Sequence, residues 1–97
     1  MLKVGKMPCA KALRIVVEGE VQGVGFRGFV KNLAQYFGIT GYVRNLEDGS
    51  VEIFAEDSEE TIARFIEYLK RESPTAIWGI RVFVEMCRGF KDFFIVP

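Results

Sequence analysis

The chain has no histidine and only two cysteines, Cys9 and Cys87, which stand far apart without a C-x-x-C pair. A metal chaperone or metalloenzyme would need its His and Cys ligands clustered at short spacing, so no metal site and no cofactor is expected. The acidic run Asp57-Ser58-Glu59-Glu60 reads instead as a helix start, where the dipole favours negative charge. No apolar run approaches the roughly 20 residues that span a bilayer, and the first eleven residues lack the apolar stretch of a secretory signal. Net charge is absent too: 13 Lys and Arg balance 13 Asp and Glu, so no overall field draws the chain to nucleic acid or an acidic membrane. A cytoplasmic protein is expected.

What is present suits one small domain. At 97 residues with nine Phe, one Trp and abundant Val and Ile, the chain can bury a single modest core. Residues 1–11 are polar, contain Gly and Pro and show no pattern, so they are expected to form a flexible leader with no part in a site, ahead of a domain over 12–97.

Periodicity predicts the elements. Ala12 to Val21 is rich in β-branched residues, with Leu13, Ile15 and Val17 on one face; Val16 breaks the polarity of the other. Phe26, Phe29, Val30, Leu33, Ala34 and Phe37 recur at helical spacing, and Gly38 supplies a left-handed stop. A hairpin turns at Glu47-Asp48-Gly49-Ser50, and its return strand sets Val51, Ile53 and Ala55 against Glu52, Phe54 and Glu56. A second helix over Ser58–Glu72 has Ile62, Phe65, Ile66 and Leu69 as its stripe, with Glu60–Arg64 and Glu67–Arg71 as surface pairs. Gly79 to Cys87 alternates as a fourth strand, with Ile80, Val82, Val84 and Met86 on one side, and Asp92–Val96 can add a short fifth.

The order βαββαβ predicts an α+β ferredoxin-like sandwich, an antiparallel sheet with both helices on one face. Such a fold serves many functions, so the residues must choose. RNA recognition on this fold needs aromatics on the third strand, where this chain offers Glu52, Phe54 and Glu56, whose carboxylates would repel phosphates. In this topology strand one lies beside strand four, which brings Cys9 towards Cys87. In a reducing cytosol two free thiols are nevertheless expected.

The densest chemistry lies at residues 19–27, Gly-Glu-Val-Gln-Gly-Val-Gly-Phe-Arg. Glycines let backbone N–H groups turn inward, a helix start adds unpaired donors, and Arg27 supplies a planar fork for phosphate oxygens. The spacing fits neither G-x-x-x-x-G-K-[ST] nor G-x-G-x-x-G, which argues against a nucleotide. Gly41-Tyr42-Val43-Arg44-Asn45, followed by Gly49 and Val51, supplies a second element. Together the two stretches resemble the acylphosphatase family. Gly19, Val21, Gln22, Gly23, Val24, Phe26 and Arg27 meet G-x-V-Q-G-V-x-[FY]-R, and the second stretch meets G-[FYW]-[AVC]-[KRQAM]-N-x-x-x-G-x-V. One departure is Asp57, where the family usually carries glycine; it is read as the N-cap of the second helix, with Glu60 as capping-box partner.

The resemblance implies hydrolysis of acyl phosphates to carboxylate and inorganic phosphate without a metal. Gln22, Gly23, Val24, Gly25, Phe26 and Arg27 would form the phosphate-binding loop, Arg27 would act as catalytic cation, and Asn45 would position the attacking water. The expected partners are a small acyl phosphate and product phosphate, with no nucleic acid and no membrane, and the chain is expected to act as a monomer. By strand alternation Arg44 should face away from Asn45 and play a surface role. Trp78, Tyr42, Phe29 and Phe90 are read as core or rim residues, any of which can contact the acyl group. Two alternatives stand beside this. The same motifs occur in large carbamoyltransferase hydrogenase maturation proteins, whose chains run on far beyond this one's Pro97, and a noncatalytic phosphate-binding regulatory module would use the same loop.

Overall fold

Each apolar period of the chain becomes one element. A computed structural model describes residues 9–23 and 25–97, with β1 over Lys11–Gly19, α1 over Phe26–Phe37, β2 over Thr40–Asn45, β3 over Val51–Asp57, α2 over Glu59–Glu72, β4 over Ile77–Glu85 and β5 over Phe93–Ile95. Residues 1–8, most of the expected leader, and Val24, an expected member of the phosphate loop, lie outside the described residues.

The sheet runs β4-β1-β3-β2-β5. β1 is antiparallel to both β3 and β4, β2 is antiparallel to β3, and the short β5 lies parallel beside β2. Ile15, Val17, Val43, Val51, Ile53 and Ala55 turn to one face and meet Phe26, Val30 and Ala34 of α1 and Ile62, Phe65 and Leu69 of α2. Burying each large apolar side chain contributes about 1.5–3 kcal/mol, so this layer carries most of the hydrophobic drive. No helix among the described residues is long and apolar enough to cross a membrane.

The opposite face is not open. Phe54 is fully buried there, with Ala12 and Tyr42, under Phe90 and Val96 from the segments around β5. Glu52 and Glu56 are 5% and 1% exposed. Glu52 accepts from Tyr42 Oη (3.0 Å) and Arg44 Nε (2.6 Å), so Arg44, expected at the surface, anchors a buried carboxylate. Glu56 accepts from the backbone N–H groups of Arg88, Gly89 (3.1 Å) and Phe90 (2.9 Å). Buried carboxylates persist only when so satisfied. Glu56 thereby fixes the β4–β5 loop over the sheet, and Arg88 lies 4.4 Å above the Phe54 ring.

Several expectations are corrected. Cys9 and Cys87 form a disulfide, with Cα atoms 6.2 Å apart, rather than two free thiols. The pairing Ala12↔Glu85 brings the segments just outside both strand ends together, as the geometry of a bridge requires. Ser58, not Asp57, caps α2: its Oγ accepts from Thr61 N at 3.1 Å, while Asp57 still belongs to β3 and pairs with Lys11. The expected Glu60–Arg64 and Glu67–Arg71 pairs do not form among the described residues. Glu67 meets Lys70 at 3.8 Å, and Arg71 lies over the Tyr68 ring at 4.7 Å. On β4 Ile77 and Ile80 pack on the core; Val82 and Val84, and Met86 just past the strand's end, are exposed, because the strand is a sheet edge that runs past the helices.

Candidate active site

Two register pairs locate the site. Val17↔Val51 and Asn45↔Val51 align the end of β1, the start of β3 and the end of β2 at one end of the sheet. The loop after β1 and the hairpin turn after β2 therefore face each other. Gln22 joins them: its Nε2 donates to the carbonyls of both Leu46 and Ser50, each at 2.8 Å. An amide nitrogen has two hydrogens, and both are used here.

Gly23 and Gly25 hold φ of 75° and 79°, and Gly25 serves as the N-cap of α1. That cap makes no side-chain hydrogen bond, so the first-turn N–H groups of α1 remain available to an anion at the positive end of the helix dipole. Phe26 is buried and plugs the helix start into the core, while Arg27, on the first turn, is half-buried. Arg27 forms no ion pair with a carboxylate among the described residues. Glu20, whose charge would oppose a phosphate, is exposed, and its backbone N–H donates to the Ala76 carbonyl at 2.9 Å.

Asn45 ends β2 with its Oδ1 buried and without a hydrogen-bond partner among the described residues. Buried acceptors are nearly always paired, so this oxygen is placed for a small donor such as water. The turn beside it is held by Leu46 N to Ser50 O (2.8 Å) and by Ser50 N to Asp48 Oδ1 (3.0 Å). Hydrogen bonds from the Ser50 hydroxyl and then its backbone N–H hold the Asp48 carboxyl below the usual aspartate range.

Gly19 and Gly41, the first residues of the two motifs, serve packing. A Cβ on Gly19 would run into the backbone of Ala76 and Ile77, and one on Gly41 into the Phe54 carbonyl, each at a positive φ. What the sequence did not reveal are the backbone carbonyls of Leu46, Ser50 and Ala76 that brace the loop, since main-chain groups carry no residue signature. A cleft of about 340 Å³ adjoins this end of the sheet, bordered by Gly19, Ser50 and Trp78. A larger one of about 710 Å³, bordered by Thr40, Glu56 and Phe90, lies at the far end and shares no residue with the loop.

Comparison with known proteins agrees with this geometry. The acylphosphatase family model matches residues 13–94. The acylphosphatase of Thermotoga maritima is 44% identical over 86 residues, 88% of this chain and 96% of that protein. That of Caldivirga maquilingensis is 46% identical over 82 residues, 84% of this chain and 85% of its own. Among solved structures, the Bacillus subtilis acylphosphatase superposes with a TM-score of 0.86 at 40% identity, over 91% of this chain and all of that one. Full-length HypF, in a phosphate- and nucleotide-bound form, matches with a TM-score of 0.81 at 36% identity, over 96% of this chain but 12% of its own. With both motifs folded to one end of the sheet and relatives matched over nearly their whole length, the chain belongs to the acylphosphatase family, enzymes that hydrolyse the carboxyl–phosphate bond of acyl phosphates.

Proposed function

We infer that the chain hydrolyses acyl phosphates by direct attack of a water molecule on phosphorus, using only its own side chains and backbone. An acyl phosphate is a mixed anhydride whose carboxylate leaves readily, so little is asked of a general acid. The demand is to hold a phosphoryl group whose charge spreads over three oxygens and to present a nucleophile in line. In this reading the backbone N–H groups of residues 22–27 and the guanidinium of Arg27 hold the phosphoryl oxygens. These fixed donors stabilise the transition state without reorganisation. Oδ1 of Asn45 accepts a hydrogen bond from the attacking water and directs its lone pair to phosphorus. An amide is too weakly basic to take the proton outright, which leaves with the phosphate product. The P–O bond to the carboxylate breaks, and carboxylate and inorganic phosphate depart.

The observation that carries this reading is the double hydrogen bond of Gln22, which ties the phosphate loop to the strand end bearing Asn45, whose Oδ1 has no partner among the described residues. The test is release of phosphate and carboxylate from benzoyl phosphate with and without EDTA. Turnover far above the spontaneous rate and unchanged by chelator is expected; chelator-sensitive turnover would overturn the metal-independent mechanism. Tight phosphate binding without turnover would instead favour the regulatory module.

A further inference from the structure

Four aromatic residues could in principle meet an acyl group, and the fold separates them. Tyr42 and Phe90 pack around Phe54 on the sheet face away from the helices, and Phe29 packs against the main core beside Phe26. Trp78 is different. It stands at the start of β4, 73% exposed, on the border of the 340 Å³ cleft formed with Glu18, Gly19, Asp48, Gly49 and Ser50. Two of its lining residues connect it to the loop: Gly19 stands three residues before Gln22 in the chain, and the Ser50 carbonyl receives the Gln22 amide. Gly19 cannot carry a side chain against Ala76, so the floor between indole and loop stays bare backbone.

We propose that Trp78 is the acyl-group platform of the enzyme and that the cleft selects uncharged aromatic or branched apolar acyl phosphates. The proposal rests on the acyl phosphate reading above and names its substrate class. In this assignment the acyl substituent of a phosphoryl group held in the loop lies along Gly19 and Ser50 against the indole, whose 73% exposure leaves its face free for a flat or branched apolar group to cover. The cleft's charges are both negative. Glu18 pairs with Arg81 at 3.3 Å, and Asp48, bonded to the Ser50 hydroxyl and N–H, lies within the field of the same guanidinium, so that one cation faces two carboxylates. A second carboxylate on the acyl group would therefore be repelled.

The test compares benzoyl, 4-carboxybenzoyl and acetyl phosphate on the intact chain and on its Trp78→Ala and Trp78→Phe variants. Because Trp78 is exposed, both variants should fold, which circular dichroism verifies. Trp78→Ala is expected to raise KM for benzoyl phosphate about tenfold more than KM for acetyl phosphate, the scale of one lost aromatic contact, with kcat little altered and Trp78→Phe restoring most of the difference. The unaltered chain should show a KM for 4-carboxybenzoyl phosphate several-fold above that for benzoyl phosphate. Trp78 is the single tryptophan, so its fluorescence should respond to benzylphosphonate and not to inorganic phosphate. Equal losses for benzoyl and acetyl phosphate in Trp78→Ala, or a fluorescence silent to benzylphosphonate, would overturn the platform alone. No turnover of any substrate by the unaltered chain would overturn the underlying reading with it.

Discussion

In the proposed mechanism Asn45 and Arg27 divide the labour of one site, and their substitutions should be separable. Arg27→Ala removes a charge-assisted fork and is expected to cost about 2–4 kcal/mol of transition-state stabilisation, weakening both turnover and inhibition by inorganic phosphate. Asn45→Ala should cut kcat steeply while leaving phosphate inhibition nearly unchanged, because the lost group touches water and not the phosphoryl oxygens. A folded Asn45→Ala protein with near-normal kcat would remove Asn45 from the mechanism. Tyr42 makes a pH prediction. Burial, then its hydrogen bond to Glu52, raises its phenol above the ordinary tyrosine value. The folded state thus favours the neutral phenol, whose contribution to stability is whole below about pH 10 and lost as pH rises through the folded value. A phenolate absorbance step displaced to high pH, absent in Tyr42→Phe, checks this.

Between elements, the carboxylate of Glu56 holds the β4–β5 loop by three backbone N–H groups. Glu56→Gln keeps the shape but replaces charge-assisted acceptors with a neutral one and puts an NH₂ against N–H donors. A loss of about 2 kcal/mol in denaturant unfolding is expected, with kcat unchanged because Glu56 sits at the end of β3 remote from Asn45. The α2 start shows how a local rule yields to its neighbourhood. Asp57 and Ser58 are both good caps by type, and the ladder decided: Asp57 pairs with Lys11 in β3, which leaves Ser58 to cap.

For the molecule as a whole, the Cys9–Cys87 bridge closes a loop of sequence separation 78, most of the chain. Restricting so long a loop in the unfolded chain stabilises the fold by ~4 kcal/mol on the loop-entropy account. Reduction should therefore shift the unfolding midpoint strongly downward. Titration of the denatured, unreduced protein should find no free thiol. Activity below the new midpoint should persist, because both sulfurs lie at the sheet end opposite the loop proposed to hold the phosphoryl group.

Local pattern was enough for the element order, the α1 boundaries and the hairpin, because each depends on neighbours a few positions away: alternation, helical spacing, glycine at a turn. The resemblance carried by Gly19 to Arg27 and Gly41 to Val51 pointed to Arg27 and Asn45 for the same reason, being written in contiguous residues. The tertiary structure decided what depends on distant segments meeting. It buried Glu56 under a loop some thirty residues away and Glu52 against Tyr42 and Arg44, left Val82 and Val84 exposed on an edge strand, joined Cys9 to Cys87, and set Trp78 beside Gly19 and Ser50. A side chain's alternation assigns it to a face of the sheet; whether that face is wet, covered or part of a cleft is fixed by what packs there, and that partner is not encoded within its own strand.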